Sequence, residues 1–175
     1  NAQVGVEDKF VIPNSRVVLA QLEVPLETIE MAFTQARSNG AVTVLNPAPA
    51  RDIPQTLLSL ANIVVPNETE SVAIGGTKNL LNLGVATVVT TLGADGASID
   101  TASSTTHIAP YKVTPVDTVG AGDAFIGATC AELSRGSSIE DAARMGAIAG
   151  ALATTVKRAV PSLPTRQAVL AAQKS

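Results

Sequence analysis

The sequence has no tryptophan, one tyrosine and three phenylalanines among 175 residues. Rings cannot fill its interior, so Ala, Val, Leu and Ile must do so from the 46% of residues that are apolar. A single cysteine, Cys130, excludes an internal disulfide and fits a reducing compartment, the cytoplasm. Its Ala-rich helical setting marks it as a small buried hydrophobe rather than a nucleophile. The one histidine, His107, sits on an expected hairpin with no Ser-His-Asp order around it, and reads as a surface residue. No apolar run reaches membrane-spanning length, because charges, Pro or Gly interrupt each one. Asn1–Phe10 lacks the basic start and apolar run of a signal peptide, and without a Met it does not read as a natural start. Twelve basic against fifteen acidic residues give −3 with no basic block, which argues against nucleic acid as the partner. A chain of this size is expected to form one α/β domain over residues 1–175, with a sizeable core.

Asn1–Ser15 shows no clear period. Arg16–Leu22 reads as a strand buried on both faces, and Leu26–Ser38 as a helix closed by Asn39-Gly40. Ala41–Leu45 is a second strand, followed by a rigid Asn46–Ala50 loop and a short helix over Ile53–Leu60. Asn62–Val65 is a third strand and Val85–Thr91 a fourth, with two short helical pieces between them, separated at Gly75-Gly76. A glycine turn, Leu92–Gly96, leads to short antiparallel strands at Ala97–Ile99 and His107–Val113 around a Ser/Thr-rich loop. Gly120–Leu133 and Ser138–Thr155 are long helices, Val156–Pro164 a loop, and Thr165–Gln173 a last helix. Strand–helix alternation with short loops implies a mainly parallel sheet covered on both faces. Ligands of such sheets bind beyond the carboxyl ends of the strands. Here those ends carry Glu23-Val24-Pro25, Asn46–Ala50, Asn67–Glu70 and Leu92–Gly96.

The chain turns on Pro115–Phe125, where a β-rich region ends and a long apolar helix begins. Gly120 and Gly122 leave backbone N–H groups open at the helix start, which favours anions. Asp123 places a carboxylate in the first turn, either as a base beside an anion cradle, as phosphoryl transfer to a hydroxyl requires, or as an acid that only complements the dipole. Gly120-Ala121-Gly122 is not a dinucleotide fingerprint, because Phe125 holds the third glycine position, and no Walker A loop is present. Asn67 and Glu70, one turn apart after a strand, could hold metal-bound water near a phosphate or form an ordinary N-cap with first-turn acids. Asp95 reads as a turn residue, and Lys157 and Arg158 as either phosphate contacts or a solvated helix end.

Five stretches together resemble the ribokinase-like (PfkB) family of carbohydrate kinases: Gln21–Glu27, Asn46–Arg51, Pro66–Glu70, Thr91–Gly96 and Asp117–Phe125, in the family's order. The resemblance implies a three-layer α/β fold with a mainly parallel central sheet, here lacking the family's N-terminal strands and lid, so that the chain is a fragment. It also implies ATP-dependent phosphorylation of a sugar hydroxyl, ribose by preference. The alternatives are another sugar or nucleoside kinase of the family and a noncatalytic nucleotide-binding fragment. In that reading Asp123 is the base, and Gly120, Ala121 and Gly122 form the anion hole. Asn67 and Glu70 organise Mg²⁺ and phosphate. Thr91, Leu92, Gly93, Ala94, Asp95 and Gly96 line the nucleotide together with Gly122 and Ala147. Glu23 and Asp123 face the sugar. Asp117, Val119, Ala153, Val156, Arg158 and Ser162 match the positions that hold a monovalent cation, usually K⁺. The full-length protein is expected to be a homodimer. Three departures accompany the match: the missing front part, a short Thr69–Gly84 segment, and Ala147 and Arg158 where the family commonly has a polar and a small residue.

Overall fold

The computed structural model describes residues 14–174, so the expectations for Asn1–Phe10 and for most of Asn1–Ser15 lie outside the described residues. These fall into two compact units, one of residues 14–90 with Asp100–Thr105, the other of Thr91–Ile99 with residues 106–174.

In the first unit β1 (Val17–Gln21), β2 (Val42–Asn46), β3 (Ile63–Val64) and β4 (Thr87–Thr91) run parallel in chain order. β-Branched residues dominate them, and their stiff side chains suit a pleated, packed surface. β2 and β4 are buried through their middles, as continuous apolar runs predict. β1 departs from the expectation of burial on both faces: its residues are half-buried and Leu19 is 39% exposed. Among the described residues β1 pairs only with β2, so its outer side lacks a covering neighbour.

Helix α1 (Leu26–Ser38) forms where Ile29, Ala32, Phe33 and Ala36 recur on one face, with Glu27 in its first turn and Arg37 in its last. It stops at Asn39, and Gly40 follows with φ +76°. Phe33 is fully buried among Leu45, Leu57, Val64, Leu80 and Val88. Such burial stabilises by about 1.5–3 kcal/mol. α2 (Gln55–Leu60) starts after Pro54, later than expected from Ile53. α3 (Glu68–Ala73) and α4 (Thr77–Asn82) are separated at Gly75-Gly76, both at positive φ.

In the second unit the Leu92–Gly96 turn contains a 3₁₀ segment, Gly93–Asp95, ahead of β5 (Ala97–Asp100) and β6 (Thr105–Ile108). β6 starts earlier than expected and ends at Ile108 rather than Val113. A Cβ at Gly96 would collide with the Ile108 carbonyl and the Pro110 nitrogen, so the chain crosses this glycine closely, and Pro110 has no N–H to extend a ladder. α5 (Ala121–Ser134) and α6 (Ile139–Ala153) follow, α6 capped by Ser138, whose Oγ accepts from the Asp141 N–H at 3.1 Å. α5 and α6 approach closely because Gly146 and Gly150 lie one turn apart on α6: a Cβ at Gly146 would overlap Thr129 Oγ1, and one at Gly150 would sit 3.0 Å from the Ala121 carbonyl. The expected Val156–Pro164 loop contains a short helix, α7 (Ala159–Ser162), in whose first turn Pro161 is tolerated. α8 (Arg166–Ala172) is tied to α5 by Arg166, which donates to both oxygens of the buried Glu132 (2.7 and 3.3 Å). That pairing holds the Glu132 carboxyl below its ordinary range. Cys130 is half-buried and desolvation pushes its thiol up to about 11, so it stays protonated at neutral pH, as an inert hydrophobe should. Among the described residues no helix is long and apolar enough to cross a membrane.

Candidate active site at the start of α5

Gly120 precedes α5 in the left-handed region (φ +82°, ψ −1°), and no side chain caps the helix. A Cβ there would also stand 3.1 Å from the Ala159 Cα, so glycine is required twice over. The Ala121 N–H closes a tight turn onto the Thr118 carbonyl at 3.2 Å. Of the three N–H groups expected in the anion hole, those of Gly120 and Gly122 therefore remain open, with no partner among the described residues. Gly122 is exposed, and nothing lies within 4 Å of the place a Cβ would occupy. Unpaired N–H groups and the dipole of a 14-residue helix converge on this space.

Asp117 holds the turn. Its Oδ1 accepts from the Val119 N–H (3.1 Å) and its Oδ2 from the Arg158 N–H (3.0 Å). Those two bonds, Arg158 first, keep its carboxyl below the ordinary carboxylate range. The Thr154 carbonyl accepts from the Val116 and Asp117 N–H groups at 2.7 and 3.0 Å. Arg158 has φ +75°, a conformation that favours glycine, and its backbone bond to Asp117 holds it there. The turn before α5, the end of α6 and α7 thus form one piece. The six expected cation positions lie in or beside it: Asp117 and Val119 in the turn, Ala153 at the end of α6, Val156 and Arg158 between α6 and α7, and buried Ser162 in α7, where it donates to the Ala159 carbonyl at 2.7 Å.

The first turn of α5 stands between two cavities. Ala121 and Gly122 line the larger, of about 530 Å³, with Thr91, Gly93, Ala94 and Gly96 from the glycine turn, Pro110–Val113, Phe125, and Ala147, Gly150, Ala151 and Thr154 from α6. That volume suits a nucleotide-sized ligand, and its lining is largely apolar. Leu92 and Asp95, expected beside the nucleotide, are absent from the lining and build the turn: the Asp95 N–H donates to the Leu92 carbonyl at 3.0 Å. The Asp95 carbonyl lies 2.9 Å from Nε2 of exposed His107, which places the histidine on the surface as expected. The exposed Asp123 faces the smaller cavity, of about 300 Å³, with Gly127, Ala128, Leu163 and Arg166. On the α6 wall the sequence reading reached only Ala147, and it missed Pro110–Val113, Gly150, Ala151 and Thr154, which lie in stretches that form no motif of their own.

In the first unit Asn67 and Glu70 form a complete capping box at α3: the Glu70 N–H donates to Asn67 Oδ1 at 2.8 Å, and the Asn67 N–H to Glu70 Oε2 at 2.9 Å. Among the described residues the cap leaves Glu70 Oε1 without a hydrogen-bond partner, so a hard cation such as Mg²⁺ fits the remaining oxygen. Exposed Glu23 follows β1. At the carboxyl ends of β1–β3 a polar ladder runs from Gln21 Nε2 to Asn46 Oδ1 (2.8 Å) and from Asn46 Nδ2 to the Val65 carbonyl (2.8 Å).

A family model described as pfkB family carbohydrate kinase matches residues 5–166. The chain belongs to this family. It is 40% identical over 174 residues to a ribokinase of Staphylococcus aureus, covering 92% of this chain and 57% of the relative. A deoxyribokinase of Salmonella typhi is 31% identical over 163 residues, covering 86% and 53%. The solved structure of Arabidopsis thaliana ribokinase complexed with ribose and ATP superposes with a TM-score of 0.85 at 29% identity, covering 91% of this chain and 56% of that one. The three-layer α/β class with a largely parallel sheet is therefore the ribokinase-like one. The chain spans a little over half the length of these relatives.

Proposed function

We propose that residues 1–175 are the nucleotide-binding part of an ATP-dependent kinase that phosphorylates a sugar hydroxyl, with ribose as the favoured sugar. One observation carries the reading: the open start of α5 lies between a nucleotide-sized apolar cavity and a second cavity that Asp123 faces. A triphosphate held in the larger cavity would direct its terminal phosphoryl at the Gly120 and Gly122 N–H groups. These would stabilise the charge that spreads over the transferring oxygens. A hydroxyl brought to the Asp123 side would lose its proton to that carboxylate while its oxygen bonds to phosphorus and the bond to the β-phosphate breaks. Asn67 and Glu70 would hold Mg²⁺, which neutralises phosphate charge when bound. The Asp117 carboxylate and the carbonyls of Val119, Ala153 and Val156 would supply oxygens to K⁺, whose charge would steady the turn before α5. Among the described residues no cluster of three or more His, Cys, Asp or Glu side chains gathers, so such a cation would rest mainly on carbonyls.

The relatives phosphorylate different sugars by name, and ribose is favoured by the greater identity to a ribokinase. With Glu23 and Asp123 as its only expected sugar contacts, the chain by itself should bind nucleotide and leave ribose unphosphorylated. The test is ADP titration of the chain, then ATP-dependent phosphorylation of ribose, deoxyribose and a nucleoside by a longer protein that contains it, in potassium and in sodium. Ribose-dependent turnover favoured by potassium is expected. Nucleotide binding with no turnover on any acceptor would instead favour a noncatalytic nucleotide-binding role.

A further inference from the structure

At the carboxyl ends of β1, β2 and β3 a side chain takes over from the backbone ladder. In a parallel pair a residue donates its N–H to the neighbouring strand, and its carbonyl accepts from the N–H two places further along that strand. The Val65 N–H donates to the Leu45 carbonyl at 2.8 Å, so the Val65 carbonyl calls for the N–H two places past Leu45. That place is held by Pro47, which has no N–H. Half-buried Asn46 fills the gap: its Nδ2 donates to the Val65 carbonyl at 2.8 Å, and its Oδ1 accepts from Gln21 Nε2 at 2.8 Å. Only this orientation of the amide serves, because a carbonyl can only accept. Without it, buried Val65 would lose the donor to its carbonyl.

The replaced rung stands next to the start of α3. Val65 is followed by buried Pro66, whose ring restrains φ to about −65°, and then by Asn67, the N-cap of α3. One residue of restricted freedom thus separates the anchored carbonyl from the cap. Asn67 and Glu70 exchange bonds of 2.8 and 2.9 Å, so both side chains follow the backbone at Asn67. The direction in which Glu70 presents its remaining oxygen is therefore set at Val65. On the other side Gln21 pairs in register with Asn46, but β1 has a second tie that does not pass through the amide: the Leu22 N–H donates to the Ala48 carbonyl at 2.9 Å.

On the reading of Asn67 and Glu70 as the Mg²⁺ and phosphate motif, we infer that Asn46 is the positioning residue of that motif. Its amide stands in for the N–H that Pro47 lacks, and it fixes the backbone from which the Glu70 carboxylate is presented. Asn46 acts through Val65 and Pro66, with no contact of its own to metal or nucleotide.

ADP titration of the chain with and without Mg²⁺ tests the inference, through the factor by which Mg²⁺ tightens ADP. Asn46→Leu should cut that factor at least fivefold and lower the melting temperature. Asn46→Ser, too short to reach Val65 but still polar, should cut it alike and covers the case in which leucine disturbs folding. Gln21→Leu should leave the factor within twofold of the parent's. Glu70→Gln keeps the capping box and removes the carboxylate, and adding Asn46→Leu to it should change the factor no further. A lowered melting temperature with the Mg²⁺ factor unchanged in both Asn46 variants would overturn the inference and leave the amide a closure of the sheet. Losses that multiply in the double variant would overturn it too, because Asn46 would then act apart from Glu70. A loss in Gln21→Leu as large as in Asn46→Leu would shift the role to the strand ends as a whole, again against the inference. If Mg²⁺ did not tighten ADP on the parent chain, the Mg²⁺ reading of Asn67 and Glu70 would itself fall, and this inference with it.

Discussion

Two helix starts in this molecule look alike in sequence and differ in what they leave open. α3 begins at Asn67 with acids in its first turn, and α5 begins at Gly120 with Asp123 in its first turn. At α3 the side chains turn back and satisfy the first N–H groups themselves, through a reciprocal box of 2.8 and 2.9 Å bonds. At α5 no side chain does so, the N–H groups of Gly120 and Gly122 have no hydrogen-bond partner among the described residues, and the space beside Gly122 is open. The acid of α3 belongs to its helix, with one oxygen to spare. The acid of α5 faces a cavity. A helix start becomes a site when its cap is withheld, and glycine withholds it.

The comparison is sharpest at the two acids. If the proposed activity holds, Asp123→Asn in a longer protein that contains this chain should lower the phosphorylation rate by about two to four orders of magnitude while nucleotide binding stays nearly intact. Steady-state turnover alongside ADP titration checks this. Turnover within tenfold of the parent would make Asp123 a helix-stabilising acid, like its counterparts in α3.

Glycine at the start of α5 is required by both φ and space, and the α3 start has no such requirement. Gly120→Ala should destabilise the chain by about 1–2 kcal/mol from the left-handed φ alone, with the 3.1 Å approach to Ala159 adding to it. Thermal melting reads the change, and an unaltered midpoint would show that the turn is not held as described. Asn67→Ala should cost about 0.5–2 kcal/mol through loss of the cap. With Asn67 also proposed to hold Mg²⁺, the variant should lose more ADP affinity relative to the parent with Mg²⁺ present than without it. An equal loss in both conditions would reduce Asn67 to its cap and widen the difference between the two helix starts.

The smallest effect concerns acid. Asp117 organises the α5 start from outside the helix, and its carboxyl is depressed by the Arg158 and Val119 N–H bonds. A depressed carboxyl contributes stability that is fully present above its unfolded pKa, near 3.8, and is lost as pH falls through the lower folded value. Asp117→Asn should therefore lower the melting temperature slightly at neutral pH, and the gap should close below about pH 4. A gap that persists or widens in acid would contradict the role given to the charge.

Much of this was legible in the sequence because the signals are local. The periodicity of α1, the helix start at Ser138 and the Gly-Ala-Gly start of α5 depend on residues within a turn of one another. The family's stretches were legible for the same reason. What could not be read depends on distant parts of the chain. β6 ends at Ile108 because Gly96 brings another segment's backbone against it. Two of three open N–H groups survive because Thr118 claims the third. Beyond Ala147, the α6 wall of the larger cavity is made of Ala, Gly and Thr that in sequence resemble any buried helix face. β1 read as fully buried because its apolar residues do not reveal which neighbours cover them.

The central claim, that the open start of α5 receives phosphate, is tested most directly at Gly122. Nothing occupies the space a side chain would take there, and leucine is the better helix former, so Gly122→Leu should keep or raise the melting temperature. The same side chain would fill the cradle. The account predicts ADP binding at least tenfold weaker in Gly122→Leu than in the parent chain, measured by calorimetry on protein of undiminished stability. ADP affinity equal to the parent's would contradict it.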